Sequence, residues 1–381
     1  MTRSGTDSVA GTSVAGADSA AADSTVTGVR VAEEDRRESI GSQIDWSLAA
    51  STAKRLVRPG PKTTAYTYSA AQAELADAAT RAEAPVREVT GLADGLRVPA
   101  TRVLDRPGWI DASSMSMRSM LGADAEEAGS SGLAARFGGL QAGGLLAFLS
   151  TAILGQYDPF TPDPETGEPG VLMVVTPNII GVERQLKVIP SDFRLWVCLH
   201  EVTHRVQFSA NPWLRDYMQD NVATLTSDAG ESTTEIVTRM TKALKGSDGP
   251  REKGIIGAMQ LLQSPEQYEA FQRMMVLGTL LEGHADHVMD AVGPAHVPSV
   301  ARIRTAFDKR RKAPQNPVQR IIRALIGMDA KLAQYIRGKA FVDEVVATVG
   351  MERFNTIWTS PETMPRPEEI DAPQAWIQRV L

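Results

Sequence analysis

The segment WVCLHEVTHRVQF, residues 196–208, puts two histidines four positions apart, with a glutamate directly after the first, in a chain of 381 residues that has only five histidines. On an α-helix, residues i and i+4 share a face, so His200 and His204 can offer imidazole nitrogens to one ion about 2.0–2.1 Å from each. Glu201 points one step further round that helix. There it does not ligate alongside both histidines, but it can take a proton from a water that the ion activates. The HExxH spacing therefore supplies a general base as well as two ligands. Apolar residues flank the motif on both sides, which buries the helix, and buried imidazoles and a buried carboxylate need partners of the kind a cation provides. Zinc (Zn2+) suits this donor set, although imidazole and carboxylate also accept other divalent ions.

The third ligand is less sharply specified. A metzincin continues HExxH with glycine three and histidine six positions later, and Gln207 and Ala210 stand there instead. All five histidines, at 200, 204, 284, 287 and 296, fall in one part of the chain, which makes the later segment LLEGHADHVMD the expected second wall of the site. Within it Glu282 can bind the ion. Asp286, four residues on and on the same face, can accept the outer N–H of a ligand histidine. The rival pair is Glu231 and Glu235 in GESTTEIV, whose Ser, Thr and Glu near a glycine read more naturally as a helix start. Gly283 lets the two ligand helices approach closely. His284 lies about 200° round the helix from Glu282, so the two do not readily aim at one ion; His284 and His287 are expected behind the ligands or facing substrate, with ordinary core hydrogen bonding as the alternative. His296 reads as structural and Cys198 as a small core hydrophobe. Tyr335 in QYIRGKAF can donate to an oxyanion, or simply pack as a core aromatic.

The elements that must position these groups are mostly helical. IDWSLAASTAKRLVRPG and the alanine-rich SAAQAELADAATRAEAPVREV carry apolar residues at helical spacing. Residues 191 to about 209 form the motif helix, preceded by Pro190, capped by Ser191 or Asp192 and closed by Asn211-Pro212. A second long helix starts at SPEQ, with Ser264 as cap, Pro265 at the first helical position and Gln267 completing a capping box, and runs to Gly293-Pro294. VLMVVTPNII, residues 171–180, is the best strand, broken at Thr176-Pro177-Asn178. The expected fold class is mainly α with a small β component. Residues 1 to about 40 read as a low-complexity disordered tail, and 41–381 as a single domain with a helical subdomain over 41–160.

With 43% hydrophobic and 23% charged residues, the chain can bury a substantial core. A net charge of -6 gives no reason to expect nucleic acid as a partner. The cationic run through Arg302, Arg304, Lys309, Arg310, Arg311, Lys312, Arg320 and Arg323 reads as a solvated helix face, with an acidic partner as the alternative. The uncharged stretch 137–157 is diluted by glycine and glutamine and reads as a buried or partly buried helix, so no membrane partner is expected. One cysteine and no secretory leader make the cytoplasm the default compartment. No GxxxxGK[ST], GxGxxG or GxSxG occurs, which removes the simplest nucleotide-binding and serine-hydrolase readings.

HEVTH followed by a glutamate helix resembles the gluzincin branch of the zincin metallopeptidases. More specifically, IDWSLAASTAKRLVRPGP, PVREVTGL, LGQYDPF, LHEVTHRVQF, LLEGHADHVMD and QYIRGKAF together resemble an actinobacterial family of zincin-like, zinc-dependent metallopeptidases, one subgroup of which is labelled as associated with coenzyme F420 biosynthesis. The resemblance covers roughly residues 43–381. It implies a zincin-like core in which His200, His204 and Glu282 bind zinc, Glu201 is the catalytic base and Asp286 supports a ligand. The gap between His204 and Glu282 is far longer than in thermolysin-like enzymes, so their substrate pockets do not transfer. The function expected is hydrolysis of a peptide or protein substrate; the alternative is a noncatalytic, zinc-stabilised scaffold, for which His284 or a cysteine would close the metal site as fourth ligand.

Overall fold

Val171–Val175 is an unbroken apolar run, and both of its faces are covered. It is the middle strand of a three-stranded sheet ordered β1-β3-β2, in which β1 (Ala100–Leu104) runs parallel to β3 (Pro169–Val175) and β2 (Gly155–Pro162) antiparallel to it. The computed structural model describes residues 40–122, 132–163, 165–227, 263–312 and 328–381, so the expected tail lies outside the described residues. Ser39–Leu381 makes one compact unit. In chain order its helices are α1 (Trp46–Leu56), α2 (Ala65–Thr90), α3 (Arg106–Met120), α4 (Leu133–Leu149), α5 (Thr176–Leu186), α6 (Pro190–Ala210), α7 (Trp213–Thr226), α8 (Pro265–His296), α9 (Val300–Lys312), α10 (Met328–Phe354) and α11 (Pro373–Val380).

Alternate residues of β3 feed two separate cores. Leu172 and Val174 pack with Leu75, Val86, Phe193, Leu199 and Val202 of α2 and α6, while Val171, Met173 and Val175 pack with Ala49, Trp109, Ile110 and Leu146 of α1, α3 and α4. Burial on both faces is why the run has no polar alternation. A third cluster, which includes Leu277, Leu280, Phe341, Phe354, Trp358 and Trp376, joins α8 to α10 and the C-terminal residues.

The element starts show where local signals decide and where they do not. At α8 the Ser264 capping box forms, with Pro265 in the first turn. The helix then continues through Pro294 to His296, because a proline in the last turn costs only one carbonyl its partner. Strand β3 stops at Val175, and Ile179 and Ile180, expected in the strand, are helical, since Pro177 fits the first turn of α5. At α6 the residue before the helix is Ile189, not Ser191 or Asp192, and Pro190 opens the helix. Asp192 instead accepts from the Ser299 N–H at 3.1 Å and its hydroxyl at 2.6 Å, tying the start of α6 to that of α9. Residues 137–157 divide between α4 and β2, and among the described residues no helix is long and apolar enough to cross a membrane.

Two devices hold the motif helix and its opposing wall. Arg205 of α6 is 1% exposed; its guanidinium donates to Glu83 Oε2 at 2.6 and 3.1 Å, to the Ala79 and Pro99 carbonyls and to Thr101 Oγ1, which fixes α6 to α2 and β1. On α8, Gly283 meets Gly338 of α10. A Cβ on Gly283 would lie 2.2 Å from the Gly338 carbonyl carbon, and one on Gly338 would lie 2.1 Å from the Thr279 oxygen. The close approach that Gly283 permits is thus with α10, not with the HExxH helix. Replacing Arg205 by alanine leaves Glu83 and three further acceptors without this donor in the interior, so stability read from urea denaturation is expected to fall by about 3–5 kcal/mol; a loss below about 1 kcal/mol would show that α6 is held by apolar packing alone.

Candidate metal centre

His200 and His204 project from α6 and Glu282 from α8 toward a common point. The two Nε2 atoms are 3.2 Å apart, and His200 Nε2 is 3.5 Å from Glu282 Oε2. The imidazole planes stand at 88° to each other. Ligands about 2.0–2.1 Å from a tetrahedral ion are separated by about 3.3–3.4 Å, so both of these spacings are close to the edge of a zinc tetrahedron. Among the described residues, these three side chains form the group whose ligating atoms lie within 4.8 Å of one another.

The local field agrees with the geometry. Burial by itself disfavours a charged His200, yet its hydrogen bond to Glu282 and the charges of Glu201, Glu282 and Asp286 outweigh that and raise its pKa above the ordinary value. A place where three carboxylates favour a positive charge is suited to a cation. Glu201 is 8% exposed and fits against the first residue of β2: a Cβ on Gly155 would lie 2.6 Å from Glu201 Cγ and 3.0 Å from its Oε1. The base candidate is therefore confined by a glycine on a neighbouring strand.

The groups around the ligands differ in part from the expectation. The outer nitrogen of His200, Nδ1, faces Met289 Sδ at 3.3 Å, and Asp286 instead accepts from Arg304 at 2.8 Å. The reason is the cationic run: Arg304 reaches from α9 to Asp286 and Asp290, so this part of the run is an internal clamp on α8 and not a solvated face. The outer nitrogen of His204 faces Gln207 Oε1 at 2.9 Å. His284 is fully buried against Phe354 and Trp358; its Nδ1 lies 3.0 Å from Gln207 Nε2, and burial, then His287 and His204, push its pKa down to about 3. His287 bonds Asp343 at 2.7 Å and stands outside the ligand group. Cys198 is buried with its thiol pushed up to about 12 by burial. Glu231, Glu235 and the side chain of Tyr335 lie outside the described residues. Sequence reasoning missed Gln207 and Gly155. Gln207 had a signal, since it stands three residues after His204 on the same face; Gly155 had none, because its role depends on β2 crossing α6.

A helix carrying HExxH, a second helix contributing a carboxylate and a small mixed sheet beside them define a metal site of the zincin type. The chain belongs to the family described as zincin-like metallopeptidase, which it matches over residues 44–377. It is also similar to a Chloroflexus aurantiacus protein whose crystal structure is provisionally described as that of a hydrolase with a novel fold: the two are 30% identical with a TM-score of 0.61, over 88% of this chain and 98% of that one. No curated protein matches the chain.

Gly155 lies outside the left-handed backbone region, so an alanine there is strained only by its contact with Glu201. Gly155→Ala is expected to keep metal binding and to lower turnover by about 100-fold through displacement of the carboxylate. Unchanged turnover in a metal-loaded Gly155→Ala protein would show that the contact does not position Glu201.

Proposed function

We propose that this chain is a zinc-dependent peptidase in which Glu201 is the general base. The observation that carries this reading is a three-residue ligand group, His200, His204 and Glu282, with a further carboxylate, Glu201, buried close enough to raise the pKa of His200. Structural zinc sites are closed by four protein ligands, whereas catalytic ones use three and keep a position for water. Neither candidate for a closing ligand belongs to the group: Cys198 Sγ contacts the Leu75 carbonyl at 3.8 Å, and His284 Nδ1 is engaged by Gln207.

Zinc held by His200, His204 and Glu282 would supply a Lewis acid that polarises a carbonyl and acidifies water. Glu201 accepts the proton of the attacking water and delivers it to the leaving amine nitrogen. Confinement between α6 and Gly155 keeps its carboxylate from swinging away between those two transfers. A peptide substrate is supported by β2, an edge strand of the sheet, which starts at Gly155 beside Glu201. A strand edge beside a hydrolytic centre can hydrogen-bond an extended chain along its main-chain groups. The family to which the chain belongs points to the same chemistry.

The test is a digest of an unbiased peptide library by the zinc-loaded protein and by its Glu201→Gln variant. The parent is expected to cleave, and the variant to keep its zinc and lose about 10²–10⁴-fold in rate. Equal rates in the two proteins would refute the assignment of Glu201.

A further inference from the structure

Gln207 is fully buried one turn beyond the HExxH motif, and each end of its amide meets a group belonging to one of the two helices that form the metal centre. Its Nε2 lies 3.1 Å from the carbonyl oxygen of Leu281, the residue before Glu282, and 3.0 Å from His284 Nδ1; its Oε1 lies 2.9 Å from His204 Nδ1. This arrangement fixes proton positions by elimination. The Leu281 carbonyl only accepts, so the amide end facing it must be the NH₂ group. The two amide hydrogens then serve Leu281 and His284, and the opposite end is the carbonyl oxygen. An oxygen at 2.9 Å from His204 Nδ1 requires that nitrogen to carry the hydrogen, which leaves His204 Nε2 with its lone pair. That lone pair is directed at the point shared with His200 Nε2, 3.2 Å away. The reversed amide would set oxygen against oxygen at Leu281 in a buried site, a loss of about 1–3 kcal/mol for each unsatisfied group.

The geometry points to Gln207 as the positioning residue of the metal centre: it selects the tautomer of His204 that presents Nε2 to the ion, and it locks the turn bearing Glu282 to the helix bearing both histidines. Both functions come from a single neutral side chain. A carboxylate in its place would accept from His204 but could not donate to Leu281 or His284. The inference rests on the reading of His200, His204 and Glu282 as ligands, and its test separates the two.

The experiment has two parts. In the metal-free wild-type protein, long-range proton–nitrogen correlations of the histidine rings report which nitrogen of His204 is protonated, and the Nδ1–H form is expected. In Gln207→Met, a variant of similar volume, that ring is expected to lose the single-tautomer signature, and zinc affinity measured by chelator competition is expected to fall by about 10–100-fold, as for other residues that orient a ligand histidine. A residue that merely fills the core would leave the ring signature and the affinity unchanged. An Nε2–H tautomer in the wild type, or a folded Gln207→Met protein that binds zinc within about twofold of the parent, would overturn the assignment. If Gln207→Met does not fold, the wild-type tautomer alone decides. If the wild type binds no zinc, the ligand reading fails while the His204 tautomer still tests the role of Gln207 as its partner.

Discussion

The constraint on which the rest of this structure depends is the convergence of two imidazoles and two carboxylates, one carboxylate buried and the other three groups largely withdrawn from water, at the meeting of two helices far apart in sequence. Groups of this kind are costly to remove from water unless their partners are in place. Hence α6 and α8 cannot merely pack; they must be held so that His200 Nε2 stays 3.2 Å from His204 Nε2 and 3.5 Å from Glu282 Oε2. Arg205 anchors α6 from behind through five hydrogen bonds to α2 and β1. Gly283 and Gly338 let α8 lie directly on α10.

Further along α8 from Glu282, a chain of charges shared with α9 and α10 complements this arrangement. Arg304 pairs with Asp286 and Asp290, Lys339 with Asp290 and Asp343, and Asp343 with His287. Apart from the buried Asp286 these groups are partly exposed, so the pairs among them contribute modestly to stability. Acidic side chains that follow Glu282 on α8, Asp286 and Asp290, thus have cations of their own, while Glu282 pairs with His200. Arg304, one residue of the cationic run in the sequence, thus clamps α8 beside the site.

What could be read without coordinates was what local geometry determines. The four-residue spacing of His200 and His204 puts two imidazoles on one helical face whatever surrounds them, and Ser264, Pro265 and Gln267 define the start of α8 through bonds within a single turn. The apolar run at Val171–Val175 announced a strand, though its end was misplaced because Pro177 suits a helix start as well as a strand break. What could not be read depends on packing between distant segments. Asp286 sits at the right spacing to support a ligand, but Arg304 from another helix claims it. Gly283 looked like a contact with the motif helix, yet its neighbour is Gly338. Gln207 entered only as a residue that excludes one class of enzyme, since nothing local says that its amide bridges His204 to Leu281.

The central claim is that His200, His204 and Glu282 hold one metal ion and leave it a position for solvent. X-ray absorption at the zinc edge of the loaded protein tests this most directly. The account predicts a coordination shell of light atoms only, at about 2.0–2.1 Å, with the outer-shell scattering of two imidazoles, and loss of that signature in Glu282→Ala. A sulfur ligand, a third imidazole, or a spectrum unaltered by Glu282→Ala would contradict it.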